Sequence, residues 1–231
     1  KASIFALSHI SNGDALIGGE GITKVEDLKG KKVAYSSGSS SEDILVNSLK
    51  ASNMTMDDIE AVDMDAAAIV TAMLSGGVDA CATWSPNSIK ILEEMEGATK
   101  LTDNMTFKDT TISLASWIAM PDYAASNKDV LVRFTKALFK AMDYAADDHY
   151  DEVAQYVATQ VAQDYDGVYE QRGDADWLTG KEVSEGAANG QVEEYYEVQK
   201  QGFVDAGAVE VDPIPAVADY VMLDVMTEAG Q

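Results

Sequence analysis

The chain has 231 residues, 40 of them acidic and 16 basic, which gives a formal net charge of −24. Its length allows one large domain or two small ones, and its apolar fraction of 46% is typical of a globular protein. No basic cluster interrupts the negative charge, so nucleic-acid binding is excluded, and an anionic membrane surface would repel the chain. No stretch approaches the roughly 18–20 consecutive apolar residues of a transmembrane helix.

The sequence contains few residues that could act in catalysis or bind a metal ion. Its one cysteine, Cys81, lies in an apolar run and is predicted to be a buried small hydrophobe. His9 and His149 have no Cys, Asp or Glu partners at metal-ligand spacing. No G-x-S-x-G motif supports a hydrolase triad. We therefore predict no catalytic residue, no metal and no cofactor. Because residue 1 is lysine and not methionine, we expect a processed or truncated polypeptide.

In chain order, the first elements predicted are two short strands, 1–7 and 15–17, with a polar turn at Asn12-Gly13 between them. A short helical turn follows, with Thr23 as its N-cap and Glu26 completing a capping box. These two strands are too few to form a stable sheet alone.

Strands and helices then alternate between residues 30 and 97. The predicted strands are 31–35, the stretch near 57–62, and 78–83, and the predicted helices are 42–52, 65–74 and 87–96. This order predicts a compact α/β unit whose strands are mostly parallel.

The Ser-rich loop 36–41 joins the first of these strands to the first helix. Free amides at a helix start carry partial positive charge, so the loop suits an anionic or strongly polar group. Taken alone it also fits plain capping by Ser39, Ser40 or Ser41. The turn Trp84-Ser85-Pro86 likewise follows a strand. Parallel sheets bind ligands at the carboxyl ends of their strands, so the two loops should converge on one crevice, which favours an anion site.

The carboxyl-terminal half has a different character. A Thr/Ser cluster and a strand-like run occupy 108–120, and helices are predicted beyond them. Those helices are 127–147, 151–163, 181–186, 193–202 and 216–228. The prediction gives this half no sheet of its own.

Several segments together carry a family resemblance. They are I-T-K-V-E-D-L-K-G-K-K-V-A at 22–34, G-S-S-S at 38–41, S-G-G-V-D-A-C-A-T-W-S-P at 75–86, Q-G-F-V-D-A-G-A-V at 201–209, and the stretch 215–225. In their order and spacing they resemble the periplasmic-type solute-binding proteins of ABC importers for nitrate, taurine and alkanesulfonates.

The resemblance implies an α/β fold of the periplasmic-binding-protein type II class, in which two lobes close on a ligand held in the cleft between them. Here 24–112 would be one complete α/β lobe. Residues 1–23 and 113–231 would form an incomplete second lobe rich in helices, because the first elements of that lobe in relatives precede the position of Lys1.

The resemblance also implies binding residues. Gly38, Ser39 and Ser40, with Ser41 beside them, match a Gly-Ser-Thr loop that holds an anionic head group. Trp84 matches the tryptophan of a Trp-Glu-Pro turn, whereas Ser85 replaces the glutamate and leaves the ligand's identity open. Further candidates lie at the two crossovers: Ser11, Asn12, Asp14, Thr110, Thr111 and Trp117.

The implied function is capture of a small anionic or zwitterionic solute and its delivery to an ABC permease. The protein would be a periplasmic or extracellular monomer, tethered to a membrane only by a lipid anchor upstream of Lys1. Two alternatives stay open. One is an enzyme on the same scaffold, related to pyrimidine-precursor synthases, although Lys31 and Lys32 fit strand-edge residues better than catalytic lysines. The other is an extracytoplasmic ligand-sensing domain.

Overall fold

The structure is a computed structural model that describes residues 2–205 and 213–231. The chain folds into two compact units. Unit 1 contains the residues up to Ser11 together with Lys108–Glu170 and Ala175–Gln231, and unit 2 contains Asn12–Phe107 and Gln171–Asp174. Part of the 201–209 segment that carried the family resemblance lies outside the described residues.

The described residues form strands, α-helices and short 3₁₀ turns. The strands are β1 (Ser3–Ser11), β2 (Asp14–Gly18), β3 (Lys32–Tyr35), β4 (Glu60–Asp63), β5 (Ala80–Trp84), β6 (Thr99–Asp103), β7 (Leu114–Ala119) and β8 (Ala175–Trp177). The helices are α1 (Ser40–Ala51), α2 (Ala66–Leu74), α3 (Asn87–Glu94), α4 (Pro121–Ser126), α5 (Lys128–Ala146), α6 (Tyr150–Val161), α7 (Tyr165–Glu170), α8 (Gly180–Asn189), α9 (Gln191–Asp205) and α10 (Leu223–Ala229).

Unit 2 is built on a mixed sheet with the strand order β4-β3-β5-β2-β6. Strand β3 runs parallel to β4 and β5, as the alternation of strands and helices predicts. Strand β2, however, is antiparallel to both β5 and β6. The three strands between residues 30 and 97 are therefore parallel, as predicted, and antiparallel pairing enters with β2 and with β6, a strand that the sequence pattern did not reveal.

Both faces of this sheet are covered by helices. Successive residues of a strand point to opposite faces, so Leu16 packs in the cluster that contains Leu45 of α1, and Ile17 in the one that contains Ile69 of α2. Leu16, Ile17, Leu45 and Ile69 are all fully buried. Unit 2 thus has its own core on both faces of the sheet. The candidate site lies at the carboxyl ends of β3 and β5 in this sheet.

The boundaries of the two units differ from those of the predicted lobes. Residues 12–23 were expected to belong with the carboxyl-terminal helices, but β2 lies inside the unit 2 sheet, between β5 and β6. Residues 108–112 belong to unit 1, and Gln171–Asp174 returns to unit 2. These assignments depend on which strands pair with each other, and the sequence of a single strand does not show its pairing partner.

Unit 1 contains a three-stranded antiparallel sheet in the order β7-β1-β8. The prediction that the carboxyl-terminal half lacks a sheet is therefore wrong. Strand β1 is longer than predicted and reaches Ser11, and β8 contributes three residues. A core that includes Leu7, Phe139 and Tyr196 joins this sheet to the helices.

The first helical turn also differs from its prediction. It spans Val25–Leu28, and the carboxylate of Asp27 accepts hydrogen bonds from the amides of Thr23 and Lys24 at 3.1 and 3.2 Å. The acceptor is thus Asp27, where Glu26 was predicted.

Cys81 is completely buried, as predicted, and burial raises the pKa of its thiol to about 12. The thiolate is the reactive form of cysteine, and Cys81 is neither accessible to reagents nor readily ionised. We expect a thiol reagent at neutral pH to leave the native chain unlabelled and to label it fully in concentrated urea, as followed by mass spectrometry. Stoichiometric labelling of the folded chain would contradict the buried position of β5.

Candidate functional site

The candidate site starts from the loop between β3 and α1. Ser39 is the N-cap of α1: its Oγ accepts a hydrogen bond from the Ser41 amide at 3.2 Å and donates one to the Ser36 carbonyl at 2.7 Å. Gly38 has a φ of +71°, a backbone conformation that glycine adopts without steric cost. The buried hydroxyl of Ser41 accepts from the Ser36 amide at 2.8 Å. Capping by Ser39, one of the two interpretations of this loop, is therefore present in the fold.

Two amides of this loop already donate hydrogen bonds to carboxylates of the protein itself. The Gly38 amide donates to Glu42 Oε2 at 2.8 Å, and the Ser37 amide donates to Asp63 Oδ1 at 2.9 Å. Within the described part of the chain, the amide of Ser40 has no hydrogen-bond partner. The loop thus offers fewer open donors than the sequence predicted.

Asp14 connects the loop to the sheet. Its side chain is 4% exposed, and its two carboxylate oxygens accept from Ser40 Oγ at 2.5 Å and from Asn104 Nδ2 at 3.0 Å. The Asp14 amide in turn donates to Asn104 Oδ1 at 2.9 Å. A buried carboxylate is tolerated only with such partners, so this network fixes the orientation of Ser40.

Trp84 stands beside Asp14. The two residues are directly opposite in the antiparallel pairing of β2 and β5, and opposed side chains lie on the same face of a sheet about 4.5–5.5 Å apart. Since β5 is also the parallel neighbour of β3, the Ser-rich loop and Trp84 follow adjacent strands at one edge. The structure therefore brings Ser40, Asp14 and the half-buried Trp84 together in unit 2.

The site is rich in negative charge. Loss of hydration raises the pKa of Asp43, and the carboxylates of Glu42 and Asp14 raise the pKa of Asp43 further. These three groups are therefore close enough to interact. The sequence named Asp14 as a candidate but did not single out Glu42 or Asp43 as binding residues.

A second group of side chains gathers around Ser85. Its amide donates to the Gly13 carbonyl at 3.0 Å, and its Oγ lies 3.1 Å from that of Ser88. Burial raises the pKa of Asp174, while a hydrogen bond with Ser85 lowers it, and one oxygen of the Asp174 carboxylate is buried without a hydrogen-bond partner among the described residues. The sequence pattern missed Asp174 because its position far along the chain gives no sign that it belongs to unit 2.

Asn12 is another predicted residue that lies in unit 2. Its amide donates to the Asp174 carbonyl at 2.6 Å, and its Oδ1 accepts from the Met105 amide at 3.0 Å. These bonds tie Asn12 to the segments around Asp174 and Met105, which is a structural role. A ligand-binding role for Asn12 stays a prediction.

The remaining predicted residues lie in unit 1. Ser11 ends β1 and donates its amide to the Ser113 carbonyl at 2.8 Å, and the hydroxyls of Thr110 and Thr111 are 3.4 Å apart. Trp117 is 43% exposed and packs edge-to-face on Phe134 with ring centroids 5.9 Å apart. That these residues line a cleft also stays a prediction.

Metal-ligating clusters and membrane-spanning helices are both absent from the described residues. Among residues 2–205 and 213–231, no three His, Cys, Asp or Glu side chains are grouped so as to hold a metal ion. In the same part of the chain, no helix is long and apolar enough to cross a membrane.

Comparison with solved structures defines the class of fold. The aliphatic sulphonate binding protein SsuA of Escherichia coli superposes with a TM-score of 0.75 at 19% identity, over 97% of this chain and 74% of that protein. The desulfurization enzyme DSZB superposes with a TM-score of 0.70 at 14% identity, over 99% of this chain and 78% of that one. The chain thus has the periplasmic-binding-protein-like α/β fold that the sequence predicts.

Sequence comparison defines the family. Residues 6–150 match the family described as NMT1/THI5 like, and the chain belongs to that family. A protein described as a binding protein in Brucella abortus is 26% identical over 229 residues, which are 98% of this chain and 70% of that relative. The taurine-binding periplasmic protein of Escherichia coli is 27% identical over 134 residues, covering 58% of this chain and 41% of that protein. The predicted resemblance is confirmed.

Proposed function

We propose that this chain is the solute-binding component of an ABC importer, a monomer that works in the periplasm or outside the cell. It would capture a small anionic or zwitterionic solute, such as a sulfonate, taurine or nitrate, and deliver it to a permease. The observation that carries the proposal is the grouping of Ser40, Asp14 and Trp84 at one edge of the unit 2 sheet. The names of the relatives support the class of solute.

The three residues supply different contacts. Ser40 offers an amide that has no partner among the described residues, at the start of a helix. Its hydroxyl donates to Asp14, so towards a solute it can accept a hydrogen bond, for example from an ammonium group. Trp84 offers a half-exposed ring on which an apolar part of a solute can pack. Small-ligand sites commonly combine an apolar surface with a few fixed polar groups, and this edge has both.

Isothermal titration calorimetry tests the proposal. The chain would be titrated with taurine, ethanesulfonate, nitrate and bicarbonate in separate experiments. We expect saturable binding of at least one of them. Absence of binding in all four, with a chain shown to be folded by circular dichroism, would remove the proposed class of solute.

Replacement of Ser39 and Ser40 by alanine should weaken binding by at least about tenfold, because it removes the hydrogen bonds to Ser36 and Asp14 that hold the start of α1 in place, which together are worth a few kcal/mol. Ser39 also caps α1, so Ser40→Ala alone separates binding from the loss of the cap. Ser75→Ala, at an exposed position of the same unit, is the matched control. An affinity equal to that of the control would exclude the loop from the site.

The candidate catalytic side chains do not favour the enzyme alternative, although the enzyme DSZB has a similar fold. Cys81, the one cysteine of the chain, is fully buried and its thiol has a pKa raised to about 12. Lys31 and Lys32 are both exposed, and Lys32 forms an ion pair with Glu60 at 3.7 Å on the neighbouring strand. Both lysines are therefore surface residues at the start of β3.

A further inference from the structure

The hydrogen bond between Glu42 and Gly38 departs from the usual start of a helix. Glu42 is the third residue of α1, where a glutamate commonly accepts from the amide of the N-cap residue. Here its carboxylate accepts instead from Gly38, the residue before the N-cap Ser39. A negative group of the protein therefore holds an amide that the sequence assigns to the ligand.

This arrangement has different consequences for two kinds of solute. A solute with a single anionic group can reach the Gly38 amide only by displacing the Glu42 carboxylate, and it then faces that charge at close range. Like charges a few ångströms apart at a partly solvated site repel strongly. A solute that also carries an ammonium group can pair that group with the displaced carboxylate, which offsets the repulsion.

Other carboxylates surround Glu42 and do not relieve its charge. Glu42 and Asp14 both act on Asp43, and Asp63 accepts from the neighbouring Ser37 amide. Negative groups of the protein therefore face the start of α1 from the helix itself, from β2 and from β4.

Two of the three lysines just before this loop, at positions 29, 31 and 32, are engaged elsewhere. Lys29 forms an ion pair with Asp58 at 3.3 Å, and Lys32 forms one with Glu60 at 3.7 Å. No ion pair seen in the described residues compensates the charge of Glu42.

We propose that Glu42 is a specificity-determining residue of the proposed site, where it disfavours solutes whose only charged group is an anion relative to solutes that also carry an ammonium group. The inference rests on the proposed function and sharpens it. Among the solutes named for the proposed function, Glu42 would favour the zwitterionic ones.

Taurine and ethanesulfonate test this inference, because they differ by a single amino group. Calorimetry would compare the unmodified chain, Glu42→Gln and Glu93→Gln, the last being an exposed glutamate of α3 that controls for net charge. Glutamine can still accept from the Gly38 amide, so the start of the helix is retained. We expect Glu42→Gln to raise the affinity for ethanesulfonate about tenfold and that for taurine less than about threefold. Glu93→Gln should change neither.

Equal changes for the two solutes, or none, would overturn the role of Glu42 while leaving the proposed function intact. If no variant bound either solute, the inference would fall, whereas the proposed function would fall only if nitrate and bicarbonate also failed to bind. A second measurement does not depend on a variant: in the unmodified chain, the NMR resonance of the Gly38 amide should shift when ethanesulfonate is added to saturation. Binding that leaves this resonance in place would also overturn the inference.

Discussion

Replacing Asp14 by alanine should abolish measurable solute binding and lower the free energy of unfolding by about 2–4 kcal/mol. The carboxylate is buried and accepts from Ser40 and Asn104. Its removal leaves the side-chain amide of Asn104 without an acceptor. It also frees the Ser40 side chain to rotate away from the edge of the sheet. Calorimetry and urea unfolding measure the two effects separately.

Asp57→Ala is the matched control for Asp14→Ala, since Asp57 is an exposed acidic residue of the same unit and carries the same charge. The control should change the free energy of unfolding by less than about 0.5 kcal/mol. If Asp14→Ala unfolded at the same urea concentration as Asp57→Ala, the hydrogen bonds around Asp14 would contribute nothing to the free energy of unfolding. If it lost stability but bound solute normally, Asp14 would be a purely structural residue.

The second large effect is expected at Gly180, the first residue of α8. A Cβ atom at this position would lie 2.3 Å from the Cβ of Phe139 and 2.5 Å from its Cα. Since the obstacle includes the backbone of α5, side-chain rotation cannot relieve it. Gly180→Ala should therefore destabilise the chain by about 3 kcal/mol, although alanine ordinarily stabilises a helix relative to glycine.

Gly173→Ala serves as the comparison for Gly180→Ala, because no atom lies within 4 Å of the Cβ it would add. Thermal unfolding by circular dichroism would show a lowered midpoint for Gly180→Ala alone. Equal midpoints for the two variants would mean that α5 and α8 do not approach each other as described.

Elements with a strong local signal were predictable from the sequence. Helix α2 was expected at 65–74 and spans Ala66–Leu74, and the apolar run before Trp84 is strand β5. Strands β6 and β8 were missed because Thr99–Asp103 and Ala175–Trp177 have no apolar run of their own and owe their strand conformation to their neighbours. Local pattern alone does not reveal a strand that depends on its partner.

The same limit applies to the partners of β2. A strand near residues 15–17 was predicted, but its insertion between β5 and β6 depends on pairing with segments distant in sequence. For this reason unit 2 begins at Asn12, whereas the predicted lobe begins at residue 24.

The candidate site was predictable in its outline. The order of strands and loops placed the Ser-rich loop and Trp84 at one edge, and the pairing of β3 with β5 and of β5 with β2 agrees with that placement. The sequence could not show that Glu42 accepts from Gly38, because a glutamate at that position is equally compatible with ordinary capping. Nor could it bring Asp174 to Ser85.

We expect a small solute to bind where Ser40 and Trp84 meet on unit 2. Two-dimensional NMR of the isotope-labelled chain during titration with taurine tests it most directly. We expect the Ser40 amide and the Trp84 indole to shift together and saturate at one ligand concentration, while the indole of Trp177 stays unchanged. Saturable binding that moves neither the Ser40 amide nor the Trp84 indole would contradict the claim.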